Sequence, residues 1–122
     1  MKQENIILDK SFSFAVRIVK LFKYLSNEKK EYILSKQLLR CGTSIGANIN
    51  EAQAAQSKKD FISKMSISSK EARESKYWID LLISTNYLKE EDKHVQSLLN
   101  DTEEIIKLLT TIIKSSEGNS NG

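Results

Sequence analysis

Proline is absent from the 122-residue sequence, where ordinary usage would place about six. Glycine is scarce too: of four residues, only Gly42 and Gly46 lie away from the C-terminal end. Turn-rich all-β folds, glycine-rich nucleotide loops and collagen-like chains are excluded by these two shortages, and long helices are favoured. One cysteine, Cys41, rules out an internal disulfide. No apolar run approaches the roughly 18 residues of a membrane span, and the opening MKQENIILDK lacks the apolar centre of a signal peptide. A soluble cytoplasmic protein with no membrane contact is expected. One histidine and one cysteine cannot assemble an ordinary metal or nucleophile site. Glu91 and His94 form half of the Glu-x-x-His motif of di-iron bundles, which needs a second copy on another helix. Nor does an arginine precede His94 by four to six residues, as in ribonuclease-type helical domains; those positions hold Leu88, Lys89 and Glu90. No enzyme activity, cofactor or metal is expected.

What is present is hydrophobic patterning. Apolar residues make up 39% and charged residues 29%, enough to build one core and too apolar for disorder throughout. Four stretches repeat at helical spacing: about 9–27 (Phe14, Ile18, Leu21, Phe22, Leu25), 32–56 (Leu34, Leu38, Cys41, Ile45, Asn48, Ala52, Ala55), 58–86 (Phe61, Met65, Ser68, Ala72, Ser75, Ile79, Leu82) and 90–114 (Val95, Leu98, Thr102, Ile105, Leu109, Ile112). The spacing predicts an all-α fold, an antiparallel up-down-up-down four-helix bundle over residues 9–115. A flexible N-terminus (1–8) and a disordered tail (116–122) flank it. Ser57 is the expected N-cap of the third helix, with Asp60 in its first turn. Asn48, the one strongly polar member of its seam, is expected to face the interior and fix register against Ser68 or Ser75. Gly42 and Gly46, four apart, indicate close approach of a neighbouring helix.

Two further patterns concern function. Phe12, Val16 and Val19 on the first helix, and Ile67, Trp78 and Leu81 on the third, lie off the core seams; a monomer would leave them as an exposed apolar patch, so they are the expected oligomer interface. Charge is uneven. The chain carries 19 Lys and Arg against 16 Asp and Glu, a net +3, yet it begins basic and ends acidic, so its ends can attract within one chain or between subunits. Arg17, Lys20 and Lys23 form a stripe on the first helix, followed by Lys29 and Lys30; together with Arg40, a lesser candidate, they are the residues to contact a polyanion such as RNA. Glu71 and Glu74, set among Lys70, Arg73 and Lys76, read as charge-paired surface rather than an acid and base. Cys41, on a core seam, reads as a small buried hydrophobe.

The segment Gln37, Leu38, Arg40, Ser44, Ile45, Asn48, Ile49 and Glu51, spaced as QLxRxxxSIxxNIxE, resembles the signature of four-helix-bundle proteins encoded within intervening sequences of bacterial large-subunit ribosomal RNA genes. Asp60-Phe61 and the run from Lys70 to Trp78 resemble that family's DF and KEAxExxYW segments, and the similarity extends over about residues 9–115. Glu51 is followed by Ala52 where other members have glycine, so the second helix is expected to run further. The resemblance implies an antiparallel bundle that assembles into a ring-like homo-oligomer, commonly a pentamer, without known catalytic activity. A related branch, the accessory variability determinant proteins of diversity-generating retroelements, binds a reverse transcriptase and its RNA through a strongly basic surface; at +3 this chain is only mildly basic. Function stays open between a non-enzymatic scaffold that binds RNA or a protein partner, an accessory subunit of such a reverse transcriptase, and a structural or selfish-element protein with no nucleic-acid contact.

Overall fold

Uninterrupted helical periodicity produces four helices: α1 (Lys2–Asn27), α2 (Leu34–Ala52), α3 (Lys58–Ser84) and α4 (Lys93–Asn119). The computed structural model describes the backbone of residues 2–119 and the side chains of residues 5–118; no strand occurs among them. Helices α1 and α3 each pack on both α2 and α4. The shared interior is apolar and mostly aliphatic, with Phe14, Ile18, Ile45, Met65, Ile79 and Leu109 among its fully buried side chains.

Helix ends depart from the sequence reading where tertiary contacts decide them. Residues 2–8, expected to be flexible, are helical, because Ile7 continues the stripe of Phe14 and Ile18 by one more heptad and is fully buried. Of the tail 116–122, residues 116–119 extend α4, and 120–122 lie outside the described residues. Helix α2 was expected to run on past Glu51 to about residue 56. Instead it ends at Ala52, tightening into three i→i−3 bonds from the N–H groups of Gln53, Ala54 and Ala55 to the carbonyls of Asn50, Glu51 and Ala52. The chain turns there to begin α3, whose N-cap is Ser57 as expected: its hydroxyl accepts the Asp60 N–H at 3.0 Å.

Two other ends carry local devices. Helix α3 closes in a Schellman motif with Asn86 in the left-handed region (φ 69°): the Tyr87 N–H reaches the Leu82 carbonyl at 2.9 Å and the Asn86 N–H reaches that of Ile83 at 3.1 Å. At the start of α2 the buried Glu31 carboxylate accepts the backbone N–H groups of Ile33, Leu34 and Ser35 at 3.1, 3.0 and 2.7 Å. Burial pushes the Glu31 carboxyl up, but these three donors, at the positive end of the helix dipole, outweigh it and hold it below its ordinary value.

The two internal glycines do what their spacing indicates. A Cβ on Gly42 would lie 2.9 Å from Cγ1 and 3.0 Å from Cγ2 of Ile18, and one on Gly46 would lie 3.3 Å from Ser11 Oγ. Helix α1 therefore approaches α2 closely along this face. Asn48 does not take the expected role. It is half-buried at the seam's edge, Ile49 holds the interior position, and its amide donates to the Ser44 carbonyl of its own helix at 2.8 Å. A 3.6-residue period rotates position 48 away from the core centre defined by Ile45 and Ile49. In the buried interior the polar links between α2 and α3 come from serines of α3 instead: the buried Ser68 hydroxyl donates to the Ile45 carbonyl at 2.9 Å, and that of Ser75 contacts Cys41 Sγ at 3.3 Å.

Candidate functional site

The first candidate cation, Arg17, is engaged inside the chain. Its guanidinium donates to Asp101 Oδ2 at 2.6 Å, Ser97 Oγ at 3.0 Å and the His94 carbonyl at 3.0 Å, joining α1 to the first turns of α4. About two turns earlier, Lys10 pairs with Glu104 at 2.6 Å. Arg40 is engaged as well. It pairs with Glu74, and with Glu71 at 3.3 Å, across the α2/α3 groove. Glu74 also accepts the Trp78 indole N–H at 3.0 Å. The indole donor chiefly, with Arg40 adding to it against partial burial, holds the Glu74 carboxyl below its ordinary value. Lys20 and Lys23 differ: both are exposed, and no ion pair within the described residues engages either.

The off-seam apolar residues stand as follows. Phe12 is 71% exposed, Val16 39%, Val19 36% and Ile67 39%, whereas Trp78 and Leu81 are half-buried. Trp78 packs edge-on against Tyr77, ring centroids 5.1 Å apart. The motif residues Arg40, Glu71, Glu74 and Trp78 thus meet in one stripe, beside Ile67 on the α2-facing side of α3.

A cavity of about 610 Å³ opens at one end of the bundle, where the later turns of α1 meet the α3–α4 connection and the start of α4. Arg17 and Lys20 belong to it, and so do Lys29, Lys89, Tyr24 and Tyr87. Sequence reading missed Lys89 and both tyrosines, since they sit on separate elements; the one local signal was Asn86, an αL-tolerant residue that closes α3 and brings Tyr87 and Lys89 back over α1. No group of three or more His, Cys, Asp or Glu side chains is placed to hold a metal among the described residues, and burial pushes the Cys41 thiol up, away from the reactive thiolate. Among the described residues no helix is long and apolar enough to cross a membrane.

Four long helices packed round one aliphatic core, with a charged stripe in the α2/α3 groove, define a four-helix protein of the kind the sequence motifs indicate. The chain belongs to the 23S rRNA-intervening sequence protein family, whose model matches residues 3–111. It is also similar to a crystal structure from Bacteroides thetaiotaomicron VPI-5482, a protein of unknown function from the S23 ribosomal protein family. The two share 56% identity with a TM-score of 0.88, over 92% of this chain and 98% of that one. Among curated proteins none matches the chain.

Proposed function

We propose that this protein is a cytoplasmic, non-catalytic scaffold: an antiparallel up-down-up-down bundle that assembles with copies of itself. Antiparallel packing is supported by partner numbers that fall on one helix as they rise on the next, as in Lys10 with Glu104 and Arg17 with Asp101. The observation that carries self-association is the exposed strip of Phe12, Val16 and Val19, together with Ile67. Apolar patches of this kind are costly on a monomer. Because the α1 strip and the α3 patch with Trp78 and Leu81 are different surfaces, contact of one with the other is head-to-tail, the arrangement that closes into a ring. Five subunits is the number the family resemblance implies.

A ring also repeats each subunit's exposed cations. Lys20 and Lys23, with Arg17 and Arg40 engaged internally, are the residues of the stripe left to meet RNA phosphates, and repetition around the ring adds weak contacts through effective concentration. The retroelement accessory role needs a strongly basic surface, and the internal pairing of both arginines favours the scaffold reading over it.

Light scattering tests the assembly. A wild-type mass several times 13.9 kDa, reduced to one subunit by Phe12→Asp, is the expected result; a wild-type monomer at micromolar concentration refutes it. For the polyanion contact, anisotropy of a labelled RNA should show binding that weakens steeply with salt and is reduced by the K20Q/K23Q double variant. An unaffected variant would leave a protein partner as the scaffold's cargo.

A further inference from the structure

The cavity at the bundle end has a composition that neither the oligomer interface nor the lysine stripe explains. Its floor is aliphatic, formed by Leu21 and Val95, and two phenol rings, Tyr24 and Tyr87, line it. Around them Lys20, Lys29 and Lys89 contribute three ammonium groups from three separate elements, α1, the α1–α2 turn and the α3–α4 connection. All three lysines are exposed and engaged by no ion pair within the described residues. The fourth lining cation, Arg17, is neutralised by Asp101 and holds the wall by tying α1 to α4. Asp92, the lining carboxylate, accepts the His94 N–H at 2.8 Å as the cap of α4, so its charge is directed to the helix end. That end adds positive potential of its own from the helix dipole.

A volume of about 610 Å³ lies in the ordinary range for small-ligand sites, roughly 300–1,000 Å³. The occupant must bring a flat ring to meet apolar and aromatic walls and a negative group to meet three ammoniums. Lipid anions lack the ring, and bare phosphate leaves the floor unfilled. We propose that this cavity binds a nucleotide, its base against Tyr24 and Tyr87 and its phosphate against Lys20, Lys29 and Lys89. Aromatic stacking accepts any base, and the turn residue Asn86, whose amide both donates and accepts, is among the lining residues that a base edge can meet. The nucleotide is either free or the terminal residue of a strand. This inference needs no oligomer; of the two lysines left to meet RNA it uses only Lys20, and Arg17 lines the cavity already paired with Asp101.

Isothermal titration with AMP tests it, using adenosine and ribose 5-phosphate as fragments. Saturable AMP binding at or below about 1 mM is expected. Adenosine and ribose 5-phosphate should each bind at least about tenfold more weakly, since each lacks one half of the recognition. The K29Q/K89Q double variant should weaken AMP by at least about tenfold, and Tyr24→Ala by about fivefold or more. Both lysines are exposed and unbonded, so circular dichroism should show the double variant folded; Tyr87, which closes α3, is left intact. Lys23→Gln should leave AMP binding unchanged, because Lys23 lies outside the cavity. A 5′-phosphorylated tetranucleotide that displaces AMP assigns the site to a strand end, and one that does not assigns it to the free nucleotide. No saturable AMP heat up to about 10 mM, or a folded double variant that binds as the wild type does, overturns the proposal. If K20Q/K23Q leaves RNA binding intact while K29Q/K89Q abolishes AMP binding, the stripe reading fails and the cavity stands; the reverse pattern does the opposite.

Discussion

Replacing Gly42 and Gly46 by alanine, one at a time, tests the close packing of α1 on α2, because the two positions share a helix and differ only in what a methyl group would meet. Either change gains helix propensity, about 0.8–1 kcal/mol for glycine to alanine. At Gly42 the new Cβ would sit 2.9 and 3.0 Å from the two γ carbons of Ile18, with its Cβ at 3.4 Å. Those atoms belong to the stiff, β-branched root of a side chain only 1% exposed, so the clash cannot be relieved by swinging a chain end aside. Overpacking of this type costs about 1–3 kcal/mol, which leaves a net loss of about 1 kcal/mol. At Gly46 the nearest atoms are Ser11 Oγ at 3.3 Å and the Ser11 carbonyl oxygen at 3.4 Å. A shift of a few tenths of an ångström suffices there, so Gly46→Ala should be neutral or stabilising. Urea unfolding at one fixed protein concentration should place the two midpoints about half a molar or more apart, for m near 2 kcal/mol/M. The double variant I18A/G42A should lose less than the sum of its parts, since the added methyl then occupies part of the space Ile18 vacates. A Gly42→Ala protein as stable as the Gly46→Ala protein would refute the account.

Glu31→Gln should cost about 1–2 kcal/mol at neutral pH, by weakening three charge-assisted bonds at the start of α2. Because the folded-state carboxyl is held below its ordinary value, its contribution is present above about pH 4.3 and is lost as pH falls through the folded value. The gap between wild type and variant, read from denaturant midpoints, should therefore close in acid; a gap constant from pH 7 to about pH 3 contradicts this sign. Ser68→Ala should cost about 0.5–1.5 kcal/mol by removing a fully buried hydroxyl that bridges α3 to the Ile45 carbonyl, and an unchanged urea midpoint would deny the bridge any weight. Trp78→Phe should raise the Glu74 carboxyl toward its ordinary value in a carbon-13 NMR titration, since the indole N–H is the largest influence holding it down; no movement would assign that influence to Arg40.

The core was legible because burial follows period. On α3, Met65, Ser68, Ala72, Ser75, Ile79 and Leu82 are buried as their four-three spacing predicts, with Phe61 at the end of the seam half-buried, and the six seam residues of α4 are all buried. Helix ends were harder, since capping depends on groups that approach in space. Nothing in the run NEKKE marks Glu31 as the cap of α2, and its carboxylate becomes one only after Lys30 turns the chain through a positive φ of 57°. Asn48 misled for a related reason: heptad spacing of 3.5 places it on the seam, whereas the helix period of 3.6 moves Ile49 into that place.

The asymmetry between a basic beginning and an acidic end left open whether the two attract within one chain or between subunits. Lys10 with Glu104 and Arg17 with Asp101 answer for those residues: α4 supplies the partners within the chain. An ion pair between residues 84 apart in sequence has no local signature, which is why Arg17 looked available and is not. These side chains are between 30% and 53% exposed, so each pair adds no more than about 1 kcal/mol to stability. Their larger effect is on the location of the remaining positive charge. With Lys10 and Arg17 matched along the α1/α4 groove and Arg40 matched by Glu71 and Glu74, exposed and unpaired lysines remain beyond Arg17 on α1, at Lys20 and Lys23. Lys29 and Lys89, in the two connections that reach the same end of the bundle, add to them. Although the net charge is only +3, three of these lysines, Lys20, Lys29 and Lys89, line the aromatic cavity, so unpaired ammonium groups and phenol rings meet at that end.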